Sequence, residues 1–273
     1  MLFRSALLPF PVAAQLQISA RGASITVGGY FQPQYSKSSA DGQDGTTQAA
    51  DDFLIRRARL LFDLKVNDRL DGRIEPDLVG GSAGGQLADI YLRWTAGREL
   101  RLSVGQFKRA FSQFELVSPT DLPLIESDGR IEGVSDCPGV AGVCSLSRLA
   151  IRLQFDERDI GLRAEGDVGS RIQYMATLTN GEGRNTGDVN DAKSVSGRVG
   201  VLLAPSVRLS GFGASHDYLA GPATRRASAL GGDLEVGTFR KGFHLIAGGM
   251  SGDNWLNGPD AGFFATQALL TYY

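Results

Sequence analysis

DDFLIRRARLLFDLKV, residues Asp51–Val66, has a period of two. Leu54, Ala58, Leu60, Phe62, Leu64 and Val66 fall on one face of an extended chain. Arg57, Arg59, Asp63, Lys65 and Asn67 fall on the other, and Arg56 breaks the phase near one end. Successive side chains of a strand point to opposite faces, so this spacing sorts an apolar surface from a charged one. A soluble sandwich turns its charged face to bulk water and its apolar face to a second sheet. A membrane barrel turns its apolar face to lipid and its charged face to a wet lumen. Periodicity alone does not separate the two.

The lengths of the connections do. The same alternation places strands at 22–35, 52–66, 69–79, 87–96, 99–109 and 159–168, then at 171–179, 194–203, 206–218, 228–238, 242–250 and 262–273. Tight connections fall at Asn67–Asp68, Gly97–Arg98, Gly169–Ser170, Ala204–Pro205 and Phe239–Lys241. Longer ones fall at 36–51, 80–86, 110–158, 180–193, 219–227 and 251–261, so short and long alternate without a slip. Short turns on one side and long loops on the other are the habit of outer-membrane barrels. The expected fold is therefore all-β, a transmembrane antiparallel β-barrel, with twelve strands in this chain. Arg148–Phe155 also alternates, but as a wall strand it would throw every later loop onto the wrong side. It is placed in the 110–158 insertion, or as a short extension of a wall strand.

Composition agrees. No apolar run approaches the roughly 18 residues of a spanning helix, and mean hydropathy is -0.10. A net charge of -2 points to no nucleic acid. The 28 basic residues comprise 23 arginines and five lysines, and arginine is the better planar donor for phosphate or carboxylate. The N-terminus, MLFRSALLPFPVAAQ, has one early charge, a short apolar stretch and small residues before Gln15. Residues 1–14 thus read as a signal peptide or its remnant, the alternative being a ragged start, and 15–273 as the outer-membrane β-barrel domain with a long loop at 110–158. Cys137 and Cys144 lie in CPGVAGVC, whose Pro and Gly residues let the chain turn back, so a local disulfide is expected in an exported protein. Two thiols without a neighbouring His make a poor metal site, and no cofactor is implied. His216 and His244 stand apart and sit in no catalytic string, which leaves an enzyme with little to work with.

Four stretches carry a resemblance: GGYFQPQY (Gly28–Tyr35), the opening stretch, DIYLRW with GQFKRAFSQFE (Asp89–Trp94, Gly105–Glu115), and TNGEG (Thr179–Gly183). Together they resemble the phosphate- and polyphosphate-selective porins of Gram-negative bacteria. The resemblance implies an outer-membrane location, sixteen-stranded barrels assembled as homotrimers, and lipid and lipopolysaccharide as surroundings. It also implies a third external loop folded inward as a constriction, here 110–158, and small anions as permeants. Two departures stand out. Twelve strands are fewer than sixteen, so the chain reads as truncated at the C-terminus, the alternative being a smaller barrel with Tyr273 as its insertion signal. The lysines of phosphate-selective members are also scarce here.

A selective pore needs inward charges that replace water yet release the ion. Arg57 and Arg59 are the first candidates, with Lys65 further along the same face. Lys108 and Arg109 follow the fifth strand, Lys108 with the wrong parity but near enough to the loop to turn inward. Arg130, Arg148 and Arg152 belong to the loop, and Arg163 and Arg198 to the opposite wall. Each could instead pair with a wall carboxylate such as Asp63, Asp89 or Glu165. Loop acids such as Glu115 are expected to hold the loop to basic wall groups. The expected function is passive diffusion of small anions, plausibly phosphate or polyphosphate. The alternatives are a general diffusion porin and a specific uptake barrel for another solute. Polar inward faces and the lack of a plug speak against hydrocarbon uptake.

Overall fold

The computed structural model describes residues 16–41, 47–79, 85–121, 145–155, 157–220, 223–253 and 262–273. The signal segment 1–14, Arg130, Cys137 and Cys144 lie outside them. Among these residues the alternating stretches form thirteen strands, each antiparallel to its neighbours in sequence, in one sheet. They are β1 (Leu16–Ala20), β2 (Ala23–Asp41), β3 (Thr47–Lys65), β4 (Leu70–Asp77), β5 (Gln86–Gly97) and β6 (Leu100–Lys108). After two short helices, α1 (Gln113–Leu116) and α2 (Leu146–Arg152), come β7 (Arg158–Val168), β8 (Ile172–Thr179) and β9 (Ser194–Ala204). The last four are β10 (Val207–Ala220), β11 (Ala223–Thr238), β12 (Lys241–Gly252) and β13 (Phe263–Tyr272).

The sheet does not close. Pairing runs from β1 to β13 with no ladder between those two, which overturns the expected β-barrel. The edges are mismatched: β1 has five residues, paired along its length with Ala23–Val27, whereas β13 has ten. The strand count is corrected as well. β1 is the addition; its alternation is too short to stand out, and a two-residue turn sets it off. That turn is Arg21–Gly22, both at positive φ (49° and 84°), as tight hairpins of this twist require.

A bulge settles the phase break at Arg56. Gln32 pairs with Arg57 but Pro33 with Ile55, so Arg56 is the extra residue. Beyond it the parity reverses. Phe53, 83% exposed, and Ile55 join Leu60 on the outer face, while Leu54 passes to the side of Arg57 and Arg59, which are buried. The outer face elsewhere carries Leu92, Trp94, Leu102, Val104, Leu162, Val199, Leu209, Phe264, Leu270 and Tyr272, all exposed. Tyr91 has the opposite parity and packs inward under Arg163.

Both helices lie on the other, inner face. Phe111, Phe114, Leu146, Leu149, Ala150 and Phe155 form the core with Phe212 (β10), Ala227 and Ala229 (β11) and Ile246 and Met250 (β12). The expectation of polar inward faces therefore fails in part for β10–β13, where the inserted segment needs an apolar seat among the polar residues. Gly248 provides part of that seat: a Cβ on it would sit 3.0 Å from Asp233 Cβ and 3.4 Å from the Phe114 ring. Arg148–Phe155 lies in the insertion, not as a strand extension but mostly as α2. Leu146, Leu149 and Ala150 share one helical face, and Ser145 caps the helix by accepting from Arg148 N at 3.1 Å.

Candidate functional site

Inner-face charges are sorted by cross-strand register. On β3 and β4, Arg59 pairs opposite Asp77. Its Nε meets Asp77 Oδ2 at 2.9 Å and its Nη1 meets Glu75 Oε1 at 2.9 Å, with all three side chains buried. Arg57 donates to Gln32 Oε1 at 2.8 Å. Arg158 reaches Asp89 at 2.8 Å. Lys65 sits at the end of its strand, largely exposed, 3.0 Å from Asp68.

A second network crosses β3–β7. Arg73 meets Asp63 at 2.7 Å and Arg93 meets Asp71 at 2.9 Å. Glu165 is shared by Arg93 (3.5 Å), Arg101 (3.3 Å) and Arg163 (3.2 Å). The Arg163 guanidinium also lies between two rings, 5.0 Å from the centre of Tyr91 and 4.8 Å from that of Phe107, a geometry that holds its plane by cation–π attraction.

A third group is a buried knot at the root of the insertion. Arg109 donates to Asp159 Oδ2 and to the Gln154 carbonyl, both at 2.7 Å. It also lies 3.1 Å from His216 Nδ1, which in turn is 2.7 Å from Ser194 Oγ. Gly181 of TNGEG, at φ +99°, donates its N–H to the same Asp159 oxygen at 2.6 Å. His216 is thus a buried structural residue, and His244 pairs with Glu235 at 3.0 Å. In the connection after β8, the Lys193 ammonium bonded to Asp188 holds that carboxyl below the usual carboxylate range.

From this root the inserted segment runs along the inner face towards the short-turn end, where Arg240 of the β11–β12 turn donates to the Thr120 carbonyl at 2.9 Å. Lys108 turns its ammonium to the carbonyls of Glu115 (2.5 Å) and Val117 (3.2 Å). The wall thus grips the segment through its backbone. Of the other predicted loop residues, Arg148 is half-buried in α2 and Arg152 ends that helix.

Two cavities flank α1. One, of about 370 Å³, is lined by Leu116, Asp121, Glu235, Phe239, His244 and Ile246 among others. The other, of about 200 Å³, brings together Arg101, Arg198 and Arg208 with Glu165, Asp167 and Gln173. Arg198 is bound there to Asp233 at 2.6 Å. Arg208 is different: half-buried, it has no hydrogen-bond or ion-pair partner among the described residues. This second cavity is the candidate anion site, three guanidiniums facing a narrow space beside a helix.

Of the predicted residues whose side chains are described, only Arg198 lines it; Arg57 and Arg59, Arg109, and Arg163 belong to the three groups above. Arg101 and Arg208 were missed. Arg101 was legible by parity. Arg208 was not, because its inner-face companions on β10 are Ser210, Phe212, Ala214 and His216, a mixed row without a clear period, and a register shift separates it from Val207.

A family model described as phosphate-selective porin O and P matches residues 27–240. None of the curated proteins matches the chain.

Proposed function

Because the chain belongs to the family of phosphate-selective porins O and P, we propose that it passes small anions, phosphate or polyphosphate among them, along its inner face beside α1. Membership makes it a transport protein of the Gram-negative outer membrane rather than an enzyme. The observation that carries the finer reading is the cavity lined by Arg101, Arg198 and Arg208, in which Arg208 keeps its donors uncommitted. A guanidinium in a partly dry space binds phosphate through two parallel hydrogen bonds. The carboxylates of Glu165 and Asp167 beside it temper that grip, as release requires.

Planar-bilayer recording across a potassium chloride gradient, with phosphate added, tests the reading. An anion-selective reversal potential with phosphate block is expected, and the block weakens by about tenfold in Arg208→Gln, the loss of one charge-assisted contact. A second reading, general diffusion without phosphate preference, draws support from the number of inner-face arginines already matched by carboxylates, such as Arg59 and Arg93. It predicts no phosphate block and no effect of Arg208→Gln.

The family's pattern extends the proposal to a homotrimer set in outer-membrane lipid and lipopolysaccharide. Residues 1–14 are read as a cleaved export signal, 15–273 as the membrane domain, and Cys137–Cys144 as a disulfide. Intact mass before and after reduction and alkylation checks cleavage and the disulfide, and particle size in detergent checks the trimer.

A further inference from the structure

We infer that Arg198 and Asp233 are positioning residues that clamp α1 to the wall and thereby fix the width of the anion path, an inference that rests on reading this face as such a path. The two residues stand on β9 and β11, on either side of β10, and meet in a double contact. Arg198 Nη1 lies 2.6 Å from Asp233 Oδ2, and Nη2 lies 2.6 Å from Oδ1. Their side chains are 9% and 1% exposed.

Among the described residues, every other hydrogen bond of the pair goes to the inserted segment or to the strand between. Arg198 Nη1 donates to the Phe111 carbonyl at 3.2 Å. Nη2 donates to Gln113 Oε1 at 3.3 Å and to Ser210 Oγ at 2.8 Å. Asp233 Oδ2 accepts the N–H of Gln113 at 2.9 Å. A helix leaves its first amides without internal partners, and Ser112, the residue before α1, makes no side-chain cap. Asp233 supplies that missing acceptor from the wall, across 120 residues of sequence.

The charge of Arg198 is therefore compensated where it stands. An anion taking Arg198 as a ligand would have to displace a buried, two-bond carboxylate. The pair shapes the cavity, and Arg208 remains to meet the ion, with Arg101 beside it already shared between Glu165 and Asp167.

The two roles predict opposite signs. For an anion ligand, Asp233→Asn frees the cation and tightens phosphate block, and Arg198→Lys, which keeps the charge, preserves it. For a clamp, both substitutions release α1, because neither amide nor ammonium can complete the double contact. The experiment reads hydrogen–deuterium exchange of peptides covering residues 111–121 in detergent, alongside phosphate block and open-channel conductance. Faster exchange in both variants, higher conductance and block weakened by about tenfold are expected. Tighter block in Asp233→Asn with block kept in Arg198→Lys, or unchanged exchange in both, overturns the clamp. Faster exchange in a protein that passes no anions upholds the clamp and defeats the functional reading instead. Should either variant fail to fold, Gln113→Ala removes one contact from the helix side, with the ion pair intact. It moves exchange and block in the same direction by less, and no change in either overturns the clamp.

Discussion

Arg59 and Arg208 carry the same charge on the same face and stand in opposite situations. Arg59 lies between two buried carboxylates, Glu75 and Asp77. Removing it leaves two uncompensated charges, so Arg59→Ala is expected to destabilise the folded protein by about 3–5 kcal/mol, measured by urea unfolding from lipid vesicles. Glu75→Gln in the same background should recover part of the loss. Arg208→Gln breaks no hydrogen bond or ion pair among the described residues and should leave stability within about 0.5 kcal/mol, so its effect falls on the permeant. Parity places Arg57, Arg59, Arg163 and Arg198 inward, and that much was legible. Which carboxylate each one meets depends on register, and alternation within a strand says nothing about the strand beside it.

At the scale of elements, twelve of the thirteen strands were legible, within a few residues at most ends, because each has a two-residue period and a turn to bound it. The exceptions share a cause. On β10–β13 apolar residues interrupt the polar inner face where it seats α1 and α2, so alternation is blurred where a second layer covers it. Arg148–Phe155 has apolar residues that satisfy both the strand and the helix period, and packing against β12 and β13 decides for the helix. At Arg56 the bulge rephases β3, and nothing but pairing reveals it. Deleting Arg56 should close the bulge with Ile55 still opposite Pro33 and Arg57 opposite Gln32, so Phe53 and Ile55 keep the outer face. Folded protein with the heat-sensitive gel mobility of a membrane sheet is expected at near-normal yield; loss of that yield would show that the extra residue does more than reset the phase.

For the whole molecule, the outer face is the part that meets lipid in this reading, and Trp94 stands on it, 45% exposed. With Trp255→Phe as background, lipids brominated along the acyl chain should quench Trp94 strongly; quenching by aqueous iodide instead would place that face in water. Closure was not legible, because pairing between the two ends of a sheet is the most remote contact a chain can make, and here the edges differ in length. Among the described residues every strand ladder joins neighbours in sequence. Such a meander can be laid down hairpin by hairpin, each new strand finding its template already in place. The inserted segment is the exception. It leaves the chain after β6, yet its seat is made from β10, β11 and β12 and its clamp from β9 and β11. It has nowhere to dock until those strands exist, so during biogenesis the restriction is fitted late, into a wall that was wide open while it was being built.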